Sequence, residues 1–290
     1  MTYRRSMLPS VLFGGMIVAG GALAAEPEQV WQAEGLDGPE SAVLDSSEGV
    51  LYVSNVNGEA NAADGNGYIA KLSLEGEILE KEWVGGLNAP KGLALHEGNL
   101  YVSDIDELVV IDAASGKITA SHDAPGATFL NDVSAHPDGR VFVSDMMQNQ
   151  IWKLEGDQFE LWLEDATLGN PNGVLAEQDR LLVATWGKPK EDFSTDVPGH
   201  LKAVDYETKE ITSLGGEPIG NLDGLEPDGQ GGYLATDWFS GALYRLSPEG
   251  EAELIMDLGQ GSADHEFVES QNLAIIPMML DGTVTAYKLQ

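Results

Sequence analysis

The 290-residue sequence predicts an all-β chain folded as a six-bladed β-propeller, with four antiparallel strands per blade and the last blade closed by a strand from the N-terminus. Three observations carry that prediction. A polar turn running into a short apolar strand recurs six times along the chain. A second, more apolar strand follows each turn in a parallel column. Both columns repeat at about forty residues, the period of a four-stranded unit in a radial array. A right-handed β-solenoid would need shorter and more uniform repeats, and a β-sandwich would not keep two columns in register.

The elements follow in chain order. Arg4 and Arg5 precede an apolar run rich in small residues that ends in Ala22-Leu23-Ala24. That is the layout of a signal peptide over residues 1–25, removed on export, which places the protein in the periplasm or outside the cell. Gly and Pro interrupt the run, which argues against a retained membrane anchor. Residues 26–290 are then a single propeller domain. QVWQAEGL, from Gln29 to Leu36, is a strand-like run that belongs to no repeat.

The six openings are GPESAVL, APKGLAL, FLNDVSA, NPNGVLA, NLDGLEP and SADHEFV. Their central residues are Glu40, Lys91, Asn131, Asn172, Asp223 and Asp264, spaced by 51, 40, 41, 51 and 41 residues. The second strands are LYVSNV, LYVSDI, VFVSDM, LLVATW, YLATDW and LAIIPM. Third strands follow in every unit, and fourth strands in all but the last, which stops at Gln290. The run at Gln29 supplies the missing strand, closing the ring and removing an exposed edge. Both long intervals have one cause. Units one and four carry the insertions NGEANAADGNG and GKPKEDFSTDVPG after their second strands. These loops lie on the face that holds the opening turns, opposite each other across the axis, where they would wall a pocket.

Composition bounds the partners. The formal charge is −33, and beyond the leader 48 acidic residues face 13 basic ones. Such a surface repels nucleic acid and anionic lipid, so neither is expected as a partner once the leader is gone. A small molecule is. The chain has no cysteine, which excludes disulfides and thiolate chemistry.

In a propeller the first strand of each blade lines the axis, so the six opening residues converge in a ring. Three carboxylates and two amides in one place repel unless a cation joins them. Oxygen donors without Cys or His suit Ca2+, or another hard divalent metal, better than zinc. Metal ligands are therefore expected among Glu40, Asn131, Asn172, Asp223 and Asp264. Lys91 could pair with Glu40 or bind an anionic group of a substrate. His265 is the one histidine beside the ring, a weaker candidate for moving a proton. The ends of the second strands, Asn55, Met146, Trp186, Trp238 and Met278, should line the mouth and, with Asn131, contact substrate.

This ordered set of motifs resembles the regucalcin/gluconolactonase family of six-bladed propellers. GPES resembles the family's Glu-bearing first-blade motif, which implies that Glu40 is a calcium ligand. LND followed by HPDGRVFVSD resembles its Asn-Asp segment and implies a place for Asn131 near the metal or substrate. PNG is similar to the Asn ligand, giving Asn172, and LDGLEPDGQGGYLATD to the segment of the last ligand, giving Asp223. In the family that Asp also serves as base or nucleophile. The resemblance implies a calcium-dependent hydrolase of lactones or related esters. Lys91 and Asp264 depart from the pattern, and the alternative is a non-catalytic exported propeller that binds a small ligand or a protein partner around a structural ion.

Overall fold

A computed structural model describes residues 26–290, so the signal-peptide reading falls outside the described residues. Six four-stranded antiparallel sheets form a ring. Blades 1 to 5 span residues 39–87, 90–123, 130–164, 171–214 and 222–257. Blade 6 takes three strands from residues 266–288 and its fourth from Glu28–Glu34. The predicted closure is therefore present. Glu28–Glu34 pairs along Thr283–Lys288, with one bulge between Gln29 and Trp31.

The alternation of each strand explains why the ring holds. Second strands are buried on both faces, as in Val50–Asn55 and Leu273–Met278, because each blade packs against a neighbour on either side. The apolar core is accordingly six clusters, each lying between adjacent blades. One joins blades 1 and 2 through Tyr52, Ile69, Leu93 and Val102. The cluster between blades 6 and 1 includes Ala33 from the closing strand and Leu51, Val53 and Ile275. Trp31 packs on that cluster and donates its indole N–H to Leu74 O at 2.8 Å, tying the N-terminal strand to blade 1.

Hydroxyls stitch the inner strands together. Ser144 Oγ accepts from Asp132 N at 3.0 Å and donates to Asn172 O of the next blade at 2.7 Å. Thr236 Oγ1 accepts from Gly224 N and donates to Ala263 O, both at 2.9 Å. Ser103 likewise donates to Asn131 O. Glycine is required beside these contacts. A Cβ at Gly173 would lie 2.0 Å from Asp223 O, so the inner strands of blades 4 and 5 approach more closely than any side chain allows.

Candidate functional site

Each first strand enters its blade through a bulge that spreads its opening residues toward the axis. Pro39, Pro90, Leu130, Pro171 and Leu222 pair with Asn55, Asp104, Asp145, Thr185 and Asp237, and the register shifts immediately after each. The next residue in every case is a predicted ring member. Glu40, Lys91, Asn131, Asn172 and Asp223 are all buried, and all line one axial cavity of about 200 Å³.

The sixth ring position is not Asp264. Ser262 bridges to Met278 as Pro39 pairs with Asn55, and Ala263 O receives the inter-blade hydroxyl bond that Asn131 O and Asn172 O receive in their blades. Ala263 therefore occupies the sixth station. Asp264 lies one residue deeper, accepts from Ser41 Oγ at 2.5 Å, and borders a second axial cavity of about 190 Å³ with Asp132, Glu226 and Glu266. The same shift moves His265 to the apolar station that Ala42, Leu93, Val133, Val174 and Leu225 fill in the other blades. It is fully buried, neither ring nitrogen has a partner, and burial pushes its pKa down to about 4. His265 is thus a neutral packing residue outside the axial cavity rather than a proton carrier within it.

The mouth shows a second correction by one residue. Met146, Trp186 and Trp238 line the cavity as expected. Asn55 does not; it accepts from Asp37 N at 3.2 Å and donates to Val53 O at 3.0 Å, and its neighbour Val56 takes the wall. Met278 faces an outer groove, and Met279 lines the cavity instead. In blades 1, 2, 3 and 5 the last paired residue of the second strand turns sideways to hold the turn before the ring, as Asp104 does by accepting from Asn88 N and Ala89 N at 2.7 and 2.6 Å. In every blade but the second the following residue faces the cavity.

Both insertions reach the site, through Ala60 from residues 56–66 and Phe193 from residues 186–200. Trp186 donates its indole N–H to Phe193 O at 2.9 Å, and its ring lies 6.0 Å from that of Trp238 and 6.3 Å from that of Phe193. Phe129, which the sequence reading did not single out, completes the apolar wall and lies 4.7 Å beneath Lys91 Nζ. Its signal was its place two residues before Asn131.

The floor is electrostatically loaded. Glu40 Oε2 and both polar atoms of the Asn172 side chain are buried without a hydrogen-bond partner. Burial, then the charges of Asp223 and Asp264, drive the Glu40 carboxyl well above its usual range. Burial and Asp264 do the same to Asp223, against the opposing pull of the neighbouring Asn172 amide. Burial pulls the Lys91 ammonium down to about 8, against the opposing pull of Glu40. Lys91 Nζ donates to Ala89 O at 2.9 Å, and the ion pair with Glu40, one of the two roles the sequence left open for it, is absent among the described residues. Among the described residues no three His, Cys, Asp or Glu side chains gather tightly enough to hold a metal alone. Any cation here would need the amide oxygens of Asn172 and Asn131 beside Glu40 and Asp223, and the unpartnered atoms fit that need.

The SMP-30/gluconolactonase/LRE-like family model matches residues 38–261, a stretch that begins just before Glu40 and takes in every cavity-lining position but Met279. The chain belongs to this family. Among solved structures, one assigned provisionally as a gluconolactonase shares 17% identity with a TM-score of 0.65, each chain covered over 93%. Virginiamycin B lyase from Staphylococcus aureus aligns at 14% identity and a TM-score of 0.62, covering 91% of this family member and 100% of the lyase. A streptogramin B lyase aligns at 13% identity and 0.61, over 91% and 97% of the two chains. At such identities these likenesses establish the propeller alone. Among curated proteins none matches the sequence significantly.

Proposed function

We propose that this family member is an exported, calcium-dependent hydrolase of the gluconolactonase type, opening a lactone or a related ester. The observation that carries the reading is the set of buried polar atoms without a protein partner, Glu40 Oε2 and both ends of the Asn172 amide, on a cavity floor shared with Asp223. A buried polar group left unpaired costs about 1–3 kcal/mol, so a floor carrying several is suited to an occupant. Carboxylate and amide oxygens favour a hard divalent ion. Glu40, Asn172 and Asp223 would hold it, with Asn131 at the edge. When bound, such an ion supplies a Lewis acid that polarises the ester carbonyl.

The remaining chemistry belongs to the chain. Asp223 takes the proton of an attacking water, or attacks the carbonyl carbon itself. Trp186, Trp238 and Phe193 exclude bulk water and hold the apolar face of the substrate. The cavity is smaller than the ~300–1,000 Å³ of pockets for drug-sized ligands, which favours a substrate of a single ring.

Asp223→Asn separates base from ligand, since the amide keeps one oxygen for the ion and loses the proton acceptor. With calcium content verified by elemental analysis, kcat on a panel of small lactones should fall by about 10²-fold or more. Full turnover by the metal-loaded variant would remove this mechanism. If the wild type hydrolyses no lactone and chelation melts the fold, the reading of a binding propeller around a structural ion replaces it.

A further inference from the structure

We infer that Lys91 is an anion anchor, so that the substrate carries a carboxylate in addition to the lactone or ester it presents to Asp223; this rests on the hydrolase reading above. Lys91 is buried in a chain whose acids outnumber its Lys and Arg by 48 to 15, yet among the described residues it makes no ion pair. Its ammonium has three donors, and among the described residues only the bond to Ala89 O is made. The Phe129 face positions the charge without neutralising it. The other nearby carboxylates are engaged elsewhere. Asp104 accepts from Asn88 N and Ala89 N, and Asp145 accepts from the backbone of Thr128, Met147 and Gln148.

Charge balance then identifies the missing partner. A divalent ion on the floor would cancel Glu40 and Asp223, leaving Lys91 the cavity-lining charge without a contacting counter-charge, since Asp104 and Asp145 act on it only from outside the cavity lining. One negative group on the ligand balances it, and a buried charge without such a partner is expensive. Position adds direction. Lys91 opens blade 2 and Asp223 opens blade 5, which face each other across a six-membered ring of blades. A compact substrate can therefore set its carboxylate on one side and its scissile carbonyl on the other.

The test compares turnover of γ-butyrolactone and its γ-carboxylate, together with calorimetric binding in calcium of their non-hydrolysable ketone counterparts, cyclopentanone and 3-oxocyclopentane-1-carboxylate. The wild type should prefer the carboxylated lactone in kcat/KM. Lys91→Met should lower that preference by about 30-fold or more, the usual effect of removing one partner of a buried charge pair, while its melting curve remains cooperative. Equal handling of the two lactones by the wild type, or an unchanged ratio in the variant, overturns the inference. If neither lactone is hydrolysed, tighter binding of the ketone carboxylate that Lys91→Met abolishes sustains the anchor and discards the hydrolase. Equal binding of both ketones discards the anchor.

Discussion

At the scale of single residues, the cavity floor differs from ordinary core in that removing a polar group should not harm the empty protein. Asn172 is buried, and its backbone O keeps the bond from Ser144 Oγ whatever its side chain. Its amide lies close enough to Asp223 to favour that carboxylate yet closes no well-formed hydrogen bond among the described residues, so it costs stability until something occupies the site. Asn172→Leu should therefore melt no lower than the wild type in chelator. The same variant should lose most of the melting-temperature gain that calcium gives the wild type, with affinity weakened about tenfold or more, the worth of a bond to a charged group. Differential scanning fluorimetry with and without calcium reads both effects. A variant that melts lower in chelator yet responds fully to calcium would show that the amide packs and does not coordinate. Asp264 and His265 illustrate the opposite case, in which polar residues sit near the ring by sequence but serve another layer. One step deeper puts Asp264 beside the second axial cavity, and the next puts His265 into inter-blade packing.

At the scale of elements, the closing strand carries a disproportionate share of the ring's integrity. Six pairs of residues join Glu28–Glu34 to Thr283–Lys288, and Trp31 bridges from this strand to blade 1. A chain beginning at Gly35 would lose Trp31 from its cluster and expose the edge of Thr283–Lys288. Loss of a packed Trp costs about 3–5 kcal/mol, a large fraction of the ~5–15 kcal/mol of a typical domain. Urea unfolding should show a much lower midpoint and aggregation on refolding, and an unchanged midpoint would mean that closure contributes nothing. This strand was legible because it had the composition of a strand and the sixth repeat lacked one. The five ring residues were legible because each stands at a strand opening nine to eleven positions before a conspicuous second strand. The offset failed in blade 6, where Ser262-Ala263-Asp264 places its acid one residue late. A polar residue draws the eye, whereas hydrogen-bond register decides the station, and only the bridge from Ser262 to Met278 fixes it. The mouth failed for a related reason: alternation turns Asn55 and Met278 away from the axis and presents Val56 and Met279. Phe129 gave no chemical signal, since an aromatic before a turn is ordinary core until the fold sets it beneath an ammonium.

At the scale of the whole molecule, the axis is a column of mutually repelling carboxyls, and this ties stability to pH and to cations. Burial, with their neighbours' charges, raises Glu40, Asp132, Asp223 and Glu226 well above the usual carboxylate range and Asp264 to about 7, while burial raises Glu266. Unfolded carboxyls titrate near ~4. Below that both states hold the protons, and the folded protein carries no penalty. As pH rises from about 4 toward 7 the unfolded chain releases protons that the folded axis retains, so stability falls through this window. His265 acts in the opposite sense, because its depressed pKa favours the folded state more as pH rises from about 4 to 6.5. His200, whose pKa burial also lowers, adds to it, but these are two groups against six carboxyls. The melting temperature in chelator should therefore drop between pH 5 and pH 8. A divalent ion favours the ionised form of its ligands and reverses the balance for Glu40 and Asp223, so calcium should stabilise the protein more at pH 8 than at pH 5. Binding should also release protons, measurable in weakly buffered solution near pH 6. A melting temperature that rises with pH in chelator, or calcium uptake without proton release, would mean that the floor carboxyls are already ionised in the empty protein. Lys91 would then be their counter-charge, and the cavity would have no charge left over for an anionic ligand to balance.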